Sequence, residues 1–395
     1  MMIKQYEETR RQARQQPNVV MVARTDSRTT GLARYVYSLA DRFMTSGQSA
    51  RLAPPLPPPL AAQLYPLLSK RGIDVRTFFK NYPVRVNLAG ADVCHLTSQN
   101  LATLLCLRPM PPTVVTVHDL HHLIERINHR ATGGIEPWVD RLAVAGLKKA
   151  HAIIAISAYT KQTISDLLHY PAERIHMIHC AVDTTVFRPL HVPTDFRARY
   201  GLPSDAPLIL YLGSEDPRKN LATLLEAFRR VSAQCPEAVL VKAGAIHFPQ
   251  EAARLRQYAK DLGIASRVVF IENLPDQDLP LLYNTADIFV IPSLLEGFGF
   301  PALEAMACGK PVIASRATSL PEVVGEAGVL FDPYRSEELA MALIRLLEHP
   351  YERRRLGEAA VARARTFSLA CQATQTWDVY CRVHQRRGIH RAGKM

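Results

Sequence analysis

The stretch Ile291-Pro-Ser-Leu-Leu-Glu296-Gly297-Phe298-Gly299-Phe300-Pro301-Ala-Leu-Glu304-Ala-Met-Ala-Cys-Gly309 decides how the rest of the chain is read. It leaves an apolar run, Ile288-Phe-Val-Ile291, crosses a glycine-rich turn and enters a short helical pattern. Pro301 suits the first helical turn and Gly309 the stop. A strand that feeds a helix through such a turn is the repeating unit of a parallel α/β sheet, whose ligands bind beyond the carboxyl ends of the strands. Glu296 therefore falls in a ligand-side loop, and its glycines let backbone N–H groups approach a bound molecule closely. Glu304, one turn into the helix, faces the same region. An ionised carboxylate accepts hydrogen bonds and donates none, which fits paired hydroxyls such as those of a ribose or hexose. Taken singly, Glu296 reads as a solvated loop residue and Glu304 as a complement to the helix dipole. The glycines, the proline and the preceding strand favour the functional reading.

Outward from this segment the same alternation repeats. Apolar runs at Leu208–Leu212, Ala238–Val241, Arg267–Ile271, Pro311–Ala314 and Val329–Phe331 alternate with helical patterns, and Asn220 is placed to cap a helix with Leu221, Leu224, Leu225 and Phe228 inward. In the first half, strands are expected at Asn18–Ala23, Val93–Leu96, Thr113–Val117 and Ala152–Ile156, with a helix over Leu32–Met44. Five prolines between Pro54 and Pro59 make an extended loop. The expected fold class is α/β, with two doubly wound Rossmann-like domains facing a cleft. The expected boundaries are a polar extension over 1–17, a first domain over 18–188 and a proline-rich linker over 189–207. A second domain over 208–366 follows, and then a C-terminal helix and basic tail over 367–395, returning to the first domain.

Composition narrows the classes. The seven cysteines are scattered without a CxxC pair, against a disulfide framework or a thiolate zinc site and for a reducing, cytoplasmic setting. No apolar run approaches a membrane span, and the polar segment Lys4–Gln16 lacks the apolar core of an export signal. The formal charge of +12, with Lys and Arg dense near both ends, suits anionic partners, phosphorylated substrates or peripheral contact with the inner membrane face, and equally a solvated basic surface. No finger, RNP strand or basic heptad region appears, so nucleic acid is not expected.

Two further loops could carry chemistry. In Tyr211-Leu-Gly213-Ser-Glu-Asp-Pro-Arg218-Lys219-Asn220, two cations and a helix start converge past a strand, which makes a diphosphate site; a basic turn is the plainer alternative. In Val117-His118-Asp119-Leu120-His121-His122, three histidines and an aspartate offer metal ligands, crowded into five residues without a partner elsewhere, and structural histidines are the commoner use. Thr30-Gly31 opens the first helix, where the Gly31 N–H could reach a phosphate. Neither opening strand is followed by G-x-G-x-x-G, against a nicotinamide enzyme.

These segments resemble glycosyltransferase family 4, the "group 1" retaining glycosyltransferases of the two-Rossmann GT-B fold. Glu296 and Glu304 match the family's E-x7-E motif, and Gly213 to Asn220 matches its strand–glycine–[KR]-K-N segment. The resemblance covers nearly the whole chain from Asn18 and fits best from Leu208 to Asp332. It implies that Glu304 binds the nucleotide ribose and that Glu296 contacts the donor sugar, with backbone groups of Gly297, Phe298 and Gly299 around it. It further implies that Arg218 and Lys219 neutralise the leaving diphosphate near Gly213, and that His118 lies by the donor sugar. Gly31 matches the family's glycine loop imperfectly, since threonine stands before it. The implied activity is metal-independent, cofactor-free, retaining transfer of a hexose, of mannose or glucose type, from a UDP- or GDP-sugar to a saccharide or lipid-linked acceptor, as in cell-surface polysaccharide assembly. A nucleotide-sugar epimerase or hydrolase, or a non-catalytic subunit of the same fold, are the alternatives.

Overall fold

The computed structural model describes residues 16–23, 30–56, 81–121, 123 and 136–392, with side chains in the last stretch over 138–386. Residues 1–15 of the N-terminal extension, the proline-rich loop from residue 57 on and His122 lie outside these residues. The chain divides into two compact units, residues 1–180 with 369–395, and residues 181–368. The segment 189–207 falls within the second unit, and the C-terminal helix groups with the first.

The first unit holds β1 (Val19–Val22), β2 (Ala50–Ala53), β3 (Val93–Leu96), β4 (Thr113–Val117), β5 (Ala152–Ala155) and β6 (Ile175–Met177) in the order β2-β1-β3-β4-β5-β6. Its helices include α1 (Gly31–Thr45), α2 (Glu136–Leu147), α3 (Ala158–Leu168) and the C-terminal Leu369–Ala392. The second unit holds β7 (Leu208–Leu212), β8 (Val239–Ala243), β9 (Val268–Ile271), β10 (Ile288–Ile291), β11 (Val312–Ser315) and β12 (Val329–Phe331) in the order β12-β11-β10-β7-β8-β9. Around it stand α4 (Leu221–Gln234), α5 (Pro249–Asp261), α6 (Leu279–Thr285), α7 (Phe300–Ala307), α8 (Leu320–Val324), α9 (Ser336–Glu348) and α10 (Pro350–Ala364). All the paired strands within each sheet run parallel.

Helices cover both faces of a parallel sheet, so its inner strands are apolar on both sides; β1, β3, β4, β5 and β10 are buried at every residue. Sequence reading misses β2 and β6, the two edge strands of the first sheet. β2 carries the exposed Arg51 and β6 has three residues, one of them buried, so neither shows the apolar run of an inner strand. In the second unit Ile209, Leu224, Phe228, Leu240, Ile288 and Leu343 form one core, each contributing about 1.5–3 kcal/mol through burial.

Each sheet reverses its order once, between β7 and β10 in the second unit and between β1 and β3 in the first. At such a switch the connections leave in opposite directions and open a crevice past the strand ends. The loops after β7 and β10 carry the Arg218–Lys219 and Glu296 segments. None of the described helices is long and apolar enough to cross a membrane.

Candidate active site

Glu296 and Glu304 are both buried, at 8% and 2% exposure, so neither is a solvated surface carboxylate. Burial of a charge is tolerated where donors satisfy it. For Glu296 the donors are Lys219 Nζ at 2.6 Å and Ser293 Oγ at 2.8 Å, both on Oε1. For Glu304, on the buried face of α7, Tyr283 of α6 donates its hydroxyl to Oε2 at 2.9 Å. Gly299 precedes α7 at φ 100°, a left-handed conformation that favours glycine, and a Cβ there would come within 2.7 Å of Leu320 Cδ2.

The loop after β7 is tied to the same place. Leu294 N–H donates to Arg218 O at 2.8 Å. Asn220 does not cap α4 through its side chain, contrary to the expectation: it sits at φ 58°, ψ 38°, and its amide donates to Pro292 O and Pro333 O at 3.1 and 2.8 Å. The two carbonyls draw the amide away from the helix N–H groups, and asparagine tolerates the left-handed conformation this requires. One side chain thus joins the loops after β7, β10 and β12. Gly213 is approached closely, since a Cβ there would lie 2.5 Å from the Tyr211 hydroxyl. Arg218 donates through Nε to Asp216 Oδ2 at 3.0 Å, so both cations of this loop lie against carboxylates. Beside them, Lys242 of β8 pairs with buried Glu215. Burial opposes the charge on Glu215, but Lys242 and the His247 N–H outweigh it and hold the carboxyl below its usual range.

The loop after β11 closes the arrangement. Thr318 takes φ 51°, rare for a β-branched residue, and such a backbone costs an L-residue of order 1–2 kcal/mol. Glu296 N–H donates to Thr318 Oγ1 at 3.0 Å, Ser319 Oγ donates to Glu296 O at 2.9 Å, and Ser315 Oγ donates to Ser293 O. Tyr283, Thr318 and Ser319 are missed by sequence reading because they lie on other elements, and Ser293, three residues before Glu296, because a loop serine carries no periodic signal.

In the first unit the loop after β4 carries the histidines and Asp119. His118, just past β4, has Nε2 2.9 Å from Thr97 O, and its own N–H donates to Gln99 Oε1 at 3.1 Å. A carbonyl accepts only, so Nε2 carries the proton and Nδ1 keeps a lone pair. Burial lowers the His118 pKa to about 4, against a smaller upward effect of the Thr97 carbonyl. Behind it, Tyr35 meets the His118 ring edge-on at 5.1 Å and hydrogen-bonds Thr116 Oγ1 at 3.0 Å. Thr116 in turn contacts His95 Nε2 at 2.7 Å, and Tyr380 contacts His95 Nδ1 at 2.6 Å. His121 Nε2 is engaged by Tyr159 at 2.5 Å, and its N–H donates to Asp119 Oδ1. Among the described residues, no three His, Cys, Asp or Glu gather in a way that could hold a metal ion. Gly31 is the first residue of α1, behind Thr30, whose side chain accepts from Ala33 N–H at 3.2 Å. Ser157 is a buried cap of α3.

Comparison with known proteins agrees with this layout. Residues 9–186 match the Glycosyltransferase Family 4 model and residues 193–363 the model of glycosyl transferases group 1. The chain is 32% identical to an O-antigen chain mannosyltransferase B of Escherichia coli over 68% of its own length and 69% of the relative's. It is equally similar to a serotype-specific mannosyltransferase of the same organism, matching 34% of that longer chain. A D-inositol 3-phosphate glycosyltransferase of Corynebacterium glutamicum is 32% identical over 67% of this chain and 66% of its own. Among solved structures, sucrose-phosphate synthase from Thermosynechococcus elongatus superposes with a TM-score of 0.72 at 23% identity, covering 93% of this chain and 99% of that one. The Anabaena protein HepE in complex with UDP-glucose gives 0.68 at 21%, covering 91% and 98%. With the two parallel six-stranded sheets and the E-x7-E loop at the carboxyl end of β10, these matches place the chain in the group 1 glycosyltransferase family, of the GT-B fold.

Proposed function

We propose that this chain transfers a hexose, of mannose type, from a nucleotide diphosphate sugar to a saccharide or lipid-linked acceptor, with retention at the anomeric carbon and without a metal. The observation that carries the reading is the pair of buried carboxylates at the β7–β10 switch, Glu296 held by Lys219 and Glu304 held by Tyr283. Glu304 accepts hydrogen bonds from the ribose hydroxyls, and Glu296 from the donor sugar. Arg218 and Lys219, with the Gly213 loop and the N–H groups of Gly297, Phe298 and Gly299, meet the developing charge of the leaving diphosphate. Neutral His118 offers Nδ1 to a sugar hydroxyl. The anomeric C–O bond to the diphosphate breaks and the acceptor oxygen bonds to that carbon from the same face. The acceptor proton passes to the departing phosphate oxygen.

Mannose is favoured by the mannosyltransferases among the relatives, and a UDP-linked donor by the UDP-glucose complex of HepE; a GDP-linked donor is the alternative. Peripheral contact with an anionic membrane belongs to the same reading. The first unit carries 27 Lys and Arg against 13 Asp and Glu, a formal +14, and the second 21 against 23, a formal −2. A thermal-shift panel of UDP- and GDP-sugars tests the donor, since a ligand bound by the folded state alone raises the melting temperature. Product formation from the best binder and acceptor glycans should persist in excess EDTA with the anomeric configuration kept. Inversion, a divalent-metal requirement, or turnover without an acceptor at an equal rate would each overturn the reading.

A further inference from the structure

We propose that Thr318 is a donor-site residue whose left-handed backbone is retained for function: its hydroxyl fixes the backbone of Glu296 and presents its own proton to the bound sugar nucleotide. This rests on the reading that Glu296 contacts the donor. In an extended chain, successive side chains point to opposite sides. Thr318 and Ser319 instead both reach Glu296, one accepting its N–H at 3.0 Å and the other donating to its carbonyl at 2.9 Å. The φ of 51° at Thr318 turns the chain so that neighbours converge, and Leu320 then lies under Gly299. Glu296 is thereby gripped at its N–H, its carbonyl and, through Lys219 and Ser293, its carboxylate.

A structural role alone does not require threonine here. Glycine takes this conformation without strain, and asparagine with little. Threonine brings a hydroxyl. Its oxygen accepts from Glu296, while among the described residues its proton has no acceptor; the residue is half-buried, leaving that proton available to a phosphate or sugar oxygen. Backbone strain kept at a ligand loop is the mark of a position held for function.

The test separates strain from hydroxyl. Thr318→Gly relieves the backbone and removes the hydroxyl, Thr318→Val keeps the strain and removes the hydroxyl, and Thr318→Ser keeps the hydroxyl. Affinity for UDP-glucose and GDP-mannose is titrated calorimetrically, and each variant's unfolding midpoint is recorded. Thr318→Gly should unfold at or above the wild-type temperature yet bind the preferred probe ~5-fold or more weakly, as loss of a ligand hydrogen bond predicts. Thr318→Val should lose as much affinity, and Thr318→Ser should stay close to wild type. Wild-type affinity in Thr318→Gly, or losses of affinity that track losses of melting temperature, would overturn the proposal. Glu296→Ala distinguishes the two layers. If it binds donor normally, or if the wild type binds neither probe, the donor reading fails and this proposal with it; if Glu296→Ala loses binding while Thr318→Gly keeps it, only the role of Thr318 falls.

Discussion

The two units share a six-stranded parallel sheet with a single order reversal, yet they treat polar groups at the strand ends in opposite ways. The second unit pairs ions: Glu296 with Lys219 and Glu215 with Lys242, all largely buried, and Asp216 with the partly exposed Arg218. The first buries neutral groups in a hydrogen-bonded chain of Tyr35, Thr116, His95 and Tyr380, with His118 against Tyr35. A fixed array of charges suits a ligand that is itself charged and gains charge on its leaving group. A neutral array suits hydroxyls, which it can bind without a desolvation penalty for an ion. The fold is thus common to both units, while the polar groups they hold near the strand ends differ in kind.

The comparison can be broken most directly at Glu304. Its replacement by alanine should weaken donor binding roughly 100-fold, the scale of losing charge-assisted hydrogen bonds to two hydroxyls; near-normal affinity by calorimetry would remove the second unit from donor binding. Lys219→Met leaves the carboxylate of Glu296 without its cation. Both side chains are largely buried, at 16% and 11% exposure, so the second unit should lose on the order of 2 kcal/mol and melt several degrees lower. An unchanged calorimetric midpoint would mean the pair is not a structural support.

His118→Ala should lower kcat/KM by about 10-fold, the worth of one hydrogen bond to a ligand. With a pKa of about 4, the wild-type imidazole stays neutral at ordinary pH, so its titration should leave no inflection in the rate between pH 6 and 9. An inflection that disappears in His118→Ala would show instead that the charged form takes part. The smallest effect concerns acid stability. Burial, then the neighbouring His118, lowers His95 to about 3. A histidine depressed below its unfolded value of ~6.5 contributes its full stability above that value and loses it as pH falls toward about 3. Melting temperature followed by circular dichroism should therefore decline on acidification below pH 6.5, and less steeply in His95→Gln. Equal slopes would place the acid sensitivity elsewhere.

How much of this was legible depended on whether the deciding interactions are local. The inner strands announce themselves because both faces are buried, and Leu208–Leu212, Thr113–Val117 and Ile288–Ile291 fall where their apolar runs lie. The edge strands β2 and β6 do not, for want of that double burial. Asn220 shows the same limit: its helix-start position was legible, but its amide turns to Pro292 and Pro333, 72 and 113 residues away.

The sequence by itself determined the two alternating series, the position of Glu296 and Glu304 at a strand end, and the cations after β7, since each follows from periodicity or from a motif within one loop. The tertiary structure alone decided what those residues touch. Thr318, Ser319 and Tyr283 reach the two glutamates across separations of 21 to 23 residues, because parallel strands bring their carboxyl-end loops together only once the sheet has formed.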